Sequence, residues 1–161
     1  MEKIIVCTYD ERLLPEKKTA WAVCWDMKAA CDFEVQPWEV KLISAWIKTY
    51  IPLWWCAKFY ARSWLPTKSS LMQLNSIAIM DPDYRWEYLM QLYNFTKDSV
   101  KHERYTRLCQ LEFVPYLHDD KYWIGYVPEI EFVVDKEMYG DFENRFISER
   151  WNWWIGSTWR N

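Results

Sequence analysis

The sequence predicts an all-β fold, a many-stranded sandwich or barrel with one short helix. Three observations lead there: apolar residues alternate over short segments, prolines punctuate the chain at fairly even intervals, and no strand–helix–strand rhythm is present. The breaks fall at Pro37, Pro52, Pro66, Pro82, Pro115 and Pro128. Cys31 to Val35 alternates cleanly, and Val40 and Leu42 continue the pattern less cleanly. A helix is expected over Ser69 to Leu74, because Lys68 to Gln73 lacks strand alternation. Ile77 to Met80 reads as an apolar strand running into acids. Tyr88 to Phe95 and Arg107 to Val114 read as longer buried strands, and Ile130 to Val134 as a compact β-branched one. Arg150 to Asn161 resembles neither strand nor helix and is expected to form a tail or loop. Residues 118–128 read as an insertion with no assigned role.

Composition narrows the class. At 161 residues the chain suits one domain with its own core, and no repeat or linker divides it. The net charge of −3 advertises no surface for nucleic acid or anionic membrane. No apolar run approaches a membrane span, and the N-terminus is not signal-like. Five widely spaced cysteines suggest neither a disulfide framework nor a thiolate zinc site, so a reduced, cytoplasmic setting is expected. Two counts are abnormal: 13 Trp and 3 Gly. Glycine ordinarily makes up about 7% of residues, and it supplies the positive φ of tight turns without steric cost.

The most informative stretch runs from Asn75 to Glu87. An apolar strand leads into Asp81-Pro82-Asp83, followed by Tyr84 and Arg85 at a turn. Taken alone, two acids flanking a proline more often make a solvated turn than a site. Four further segments change that weighing. Asp81 to Glu87 resembles the third motif of the trimeric dUTPase family, Asp-x-Asp-Tyr-Arg-Gly-Glu, with Trp86 at the glycine. Arg62-Ser63-Trp64-Leu65 is similar to the second motif, Arg-Ser-Gly-Leu, and Arg107 to Leu111 to the fourth, Arg-x-x-Gln-Leu. Arg150 to Trp159 is similar to the fifth, a glycine-rich arm. The first motif is weaker: Asp26 is kept, with Cys24 at a glycine position. The five stand in the family's order and span nearly the whole chain.

The resemblance turns the glycine deficit into a pattern. Trp64, Trp86, Trp151, Trp153, Trp154 and Trp159 stand where the family has glycine, and Trp21, Trp38, Trp46 and Trp54 where turn glycines are expected. Returning these ten to glycine leaves 13 Gly and 3 Trp in 161 residues, about 8% glycine against the usual ~7%. The expectation is a gene that reads UGA as glycine, translated with UGA as tryptophan. The competing reading is a genuinely Trp-rich binding surface for sugars or bases.

What the resemblance implies is a distorted jelly roll with a flexible C-terminal arm. It further implies a homotrimer with active sites between subunits, and Mg²⁺-dependent hydrolysis of dUTP to dUMP and pyrophosphate. Asp81 becomes the base that activates the attacking water, and Asp26 a metal contact through water. Tyr84 packs under the deoxyribose and excludes a 2′-hydroxyl, while Asn75 and nearby backbone read uracil. Ser63, Trp64 (at its glycine position), Gln110, Arg150, Gly156, Ser157 and Thr158 surround the phosphates. Ile155 covers the base where the family has phenylalanine. Arg62 and Arg107 read equally as ligand contacts or as structural ion-pair partners. Two rivals stand beside this: a catalytically silent binding protein, and a relative of dCTP deaminase, whose catalytic Glu is replaced here by Gln91.

Overall fold

The computed structural model describes residues 3–116 and 127–146. Within them the chain is dominated by strands: β1 (Lys3–Thr8), β2 (Trp25–Lys28), β3 (Phe33–Val35), β4 (Val40–Ser44), β5 (Lys48–Tyr50) and β6 (Trp55–Ala61), then β7 (Leu71–Gln73), β8 (Ile77–Met80), β9 (Leu89–Asn94), β10 (Val100–His102), β11 (Arg107–Pro115) and β12 (Glu129–Val134). Three short helices complete it: α1 (Trp64–Ser69), α2 (Lys136–Gly140) and α3 (Phe142–Arg145). The strands form four small sheets, ordered β12-β1-β5, β10-β3, β2-β11-β6-β8 and β4-β9-β7. All pairings are antiparallel except β1 with β12, which run parallel from Lys3 opposite Glu129 to Thr8 opposite Val134. Small twisted sheets wrapped round one core make the arrangement a distorted jelly roll.

The alternation read from the sequence has its cause in burial. In β9 every second residue is buried, so Met90, Leu92 and Asn94 point inward. Phe59 of β6 stacks on Tyr88 at 6.0 Å between ring centres, and the Tyr88 hydroxyl meets Thr49 Oγ1 at 2.7 Å, so its polar tip is satisfied in the core. The imperfect alternation of β4 is explained by Ile43, which is its buried residue, while Val40 and Leu42 face outward.

The helix lies earlier than expected. α1 spans Trp64–Ser69, and Leu71–Gln73 is a strand paired with β9. Pro66, read as a break, sits in the helix's first turn, where its missing N–H removes no intrahelical bond. Ser70 then turns left-handed (φ 55°, ψ 24°) and ends the helix. α2 and α3 were not expected. Asp135 caps α2 by accepting from the Met138 N–H at 2.9 Å, a signal readable from sequence but short of any apolar period.

Candidate active site

The four-stranded sheet carries Asp26, Arg107 and Gln110 on its strands, and Arg62, Ser63 and Trp64 follow the end of β6. β11 lies between β2 and β6, which puts Gln110 directly opposite Asp26 on one side and Tyr60 on the other. Asp26 is buried, and its Oδ2 accepts from Arg107 Nη1 at 3.0 Å and forms an ion pair with Arg62. The two guanidiniums offset its charge and fix both arginines at the edge of the sheet. Both arginines therefore act as ion-pair partners in this structure, the alternative that sequence left open. Gln110 Nε2 donates to the Ala61 carbonyl at 3.4 Å. Ser63 precedes α1, is exposed, and makes no capping bond with its hydroxyl, so the Oγ is presented outward. Trp64 opens α1, half-buried, with its ring 6.0 Å from His102. Tyr60 donates to Glu112; that bond, with burial, pushes the phenol up to about 12, so it stays protonated.

Asp81 and Tyr84 lie elsewhere. Met80 pairs with Ala57, so Asp81 leaves β8 at the start of β6, whereas Gln110 sits level with Tyr60 near the end. Four residues of strand separate the two levels, roughly 13 Å at about 3.3 Å per residue. Asn75, in the exposed turn before β8, sits at the Gln110 end. Within one chain Asp81 and Tyr84 do not lie beside Gln110. The two groups of residues lie toward opposite ends of one sheet.

The Asp81 turn is held by a residue that sequence reading passed over. Arg85 is only 6% exposed. Its Nη1 donates to the carbonyls of Pro82 (2.5 Å) and Tyr84 (3.2 Å), and its Nε to that of Phe146 (2.9 Å). Burial lowers its proton affinity below the ordinary arginine value. Tyr84 N–H closes the turn on the Asp81 carbonyl at 3.0 Å, and its hydroxyl donates to the Glu87 carbonyl at 3.0 Å. The Tyr139 hydroxyl donates to the Glu87 carboxylate, and Lys48 bridges the Tyr139 carbonyl and Glu143 at 2.9 and 2.8 Å. α2 and α3 are thus bolted to the turn that carries Asp81. The only sequence sign was an arginine between two aromatics, Tyr84 and Trp86, at a turn.

Among the described residues no cluster of three or more His, Cys, Asp or Glu could hold a metal ion. Mg²⁺ bound mainly by phosphates and water needs no such cage, and a single carboxylate suffices. Asp26 fits that limited role. With two arginines already beside it, a cation there would have to arrive with phosphate charge of its own. The predicted residues Arg150, Ile155, Gly156, Ser157 and Thr158 lie outside the described residues.

The dUTPase family model matches residues 10–133. The chain belongs to the dUTPase family. A deoxyuridine 5′-triphosphate nucleotidohydrolase of Histophilus somni is 36% identical over 124 residues, covering 71% of this chain and 82% of that one. The crystal structure of dUTPase from Streptococcus mutans matches with a TM-score of 0.67 at 29% identity, over 71% of this chain and 94% of that chain. A dUTPase from phage phi11 of S. aureus shares the fold at 15% identity, with a TM-score of 0.66 over 78% of this chain and 98% of its own. Its structure details the coordination of a structural Mg(II) ion. The jelly roll seen here is the dUTPase fold. No helix among the described residues is long and apolar enough to cross a membrane.

Proposed function

We propose that this chain hydrolyses dUTP to dUMP and pyrophosphate, in sites shared between copies of a homotrimer. The observation that carries the reading is the pair of half-sites on a dUTPase scaffold. One holds Asp26, Arg62, Arg107 and Gln110, the other Asp81 and Tyr84. Each lacks what the other supplies, so a complete site needs a second copy. The outer face of the β4-β9-β7 sheet supports association. Val40, Tyr93 and Met72 stand in one row across it, and Val40 and Met72 are 47% and 42% exposed.

In that site Asp81 orients the attacking water and takes its proton on a carboxylate oxygen. Tyr84, anchored through its hydroxyl to Glu87, presents its ring as the floor under the deoxyribose and leaves no room for a 2′-hydroxyl. Asn75 offers an amide to the uracil edge. Ser63 and Gln110 donate to phosphate oxygens, joined by Arg150, Ser157 and Thr158 of the C-terminal segment. Ile155 covers the base, and Gly156 and position 64 give backbone access to the phosphates. Asp26 holds Arg62 and Arg107 and would face Mg²⁺ brought in with the triphosphate. When bound, the metal offsets charge on the triphosphate. The setting is the cytoplasm, where the nucleotide pool lies.

Pyrophosphate release from dUTP with Mg²⁺ tests the reading, measured on the chain as written and on a version with glycine at the ten positions. Turnover of dUTP with neither UTP hydrolysis nor dCTP deamination is expected of the glycine version. No turnover by either, with dUTP binding retained, would leave the binding-protein reading instead.

A further inference from the structure

Six non-glycine residues among those described have φ in the left-handed region: Trp38 (62°), Trp46 (50°), Trp54 (74°), Ser70 (55°), Ser76 (57°) and Tyr105 (70°). Three of these six are tryptophans. In this region Cβ crowds the following carbonyl, which costs roughly 1–2 kcal/mol for a residue with a side chain, and bulky residues are true outliers. The one described glycine, Gly140, lies at the end of α2 with open space around its α-carbon and has no positive φ. Glycine is thus found where the backbone does not need it, and the largest side chain where it does.

The surroundings sharpen the contrast. Tyr105 also sits left-handed, but its hydroxyl donates to Asp10 at 2.8 Å and the Arg12 guanidinium lies 4.3 Å over its ring. Those contacts offset the local cost. Trp38 has no such anchor in view: its side chain is largely in water, at 62% exposure, on the turn before β4. Trp21, also on a turn, is 94% exposed. Trp46 is the intermediate case, packed 4.3 Å from Tyr9 and under Arg104. Trp25 and Trp55, by contrast, lie in strands without positive φ, and Trp55 is buried in the core at 6% exposure.

We infer that Trp38, Trp46 and Trp54 are glycine in the polypeptide its own organism makes, because its gene reads UGA as glycine. The same reassignment accounts for Trp21 and for the six motif positions, and it leaves Trp25, Trp55 and Trp123 as true tryptophans. It requires no new chemistry at the site. It removes the indoles at positions 64 and 86, leaving the backbone amides there open to a ligand.

The nucleotide sequence is the decisive test, and it is independent of whether the chain folds or turns over dUTP. UGA is expected at all ten positions and UGG at Trp25, Trp55 and Trp123; UGG at positions 38, 46 and 54 overturns the inference. Intact-mass measurement of the protein from its native source should show a mass lower by ten Trp-to-Gly differences, and the full tryptophan mass would refute it. In recombinant protein, Trp38→Gly should raise the folding equilibrium constant by about tenfold. Trp46→Gly and Trp54→Gly should gain less, since Trp46 loses contacts with Tyr9 and Arg104 and Trp54 its contact with Tyr116. A fall in stability at both Trp38 and Trp54 would remove the structural argument.

Discussion

The two ends of the β2-β11-β6-β8 sheet solve the same problem differently. At the Gln110 end, functional groups are held by side chains pairing with side chains: Asp26 with Arg62 and Arg107. At the Asp81 end they are held by one buried arginine gripping backbone carbonyls and by α2 and α3 packed behind it. The first end is set by strand register. The second depends on a segment 61 residues downstream in sequence, where the Phe146 carbonyl meets Arg85.

The largest test of this contrast is complementation. Asp81→Asn and Gln110→Glu should each lower turnover by about 10²–10³-fold. Unfolding and refolding the two together should restore a measurable part, because mixed oligomers contain sites with both residues intact. No recovery would place the site within one chain. Next in size are two neighbours in sequence at the start of β6. Trp55→Ala should cost about 3–5 kcal/mol through the cavity it leaves, while Trp54→Gly should stabilise by about 1 kcal/mol, both read by chemical denaturation. Arg85→Met should cost about 3 kcal/mol by leaving three carbonyls without their charged donor. It should also impair Asp81-dependent turnover more than nucleotide binding. Asp26→Ala should cost about 2 kcal/mol, less than a fully buried pair because Arg107 is partly exposed. Its larger effect should fall on triphosphate affinity.

The smallest effect is one of pH and belongs to the Gln110 end, where His102 Nε2 meets Ser69 Oγ at the end of α1. Burial lowers the His102 pKa below its ordinary 6.5. The unfolded chain therefore binds the proton first, and stability is lost as pH falls below about 6.5. His102→Gln should flatten that part of the stability–pH curve, measured by thermal unfolding between pH 7 and 5. An unchanged slope would show that other groups carry it.

Much of this was legible in the residues. Strand segments such as β3 and β9 announced themselves because alternate residues are buried, and a two-residue period survives in any one-dimensional reading. The motif residues were legible because their order along the chain is itself the signal. The helix was misplaced because absence of alternation marks a helix poorly. Pro66 looked like a stop, and only the chain's path showed it to be a first-turn proline. Arg85 was seen as a residue and missed as a clamp, since its partner carbonyl at Phe146 is named by no local pattern.

Sequence alone determined the all-β class, the identity of the chemical groups and the anomaly of the tryptophans, all properties of residue type and spacing. Tertiary structure decided which groups share a neighbourhood. It put Gln110 beside Asp26, set Asp81 at the other end of β6, and gave Trp38, Trp46 and Trp54 their left-handed backbone. Register and turn geometry are fixed by partners distant in the chain, so no local reading contains them.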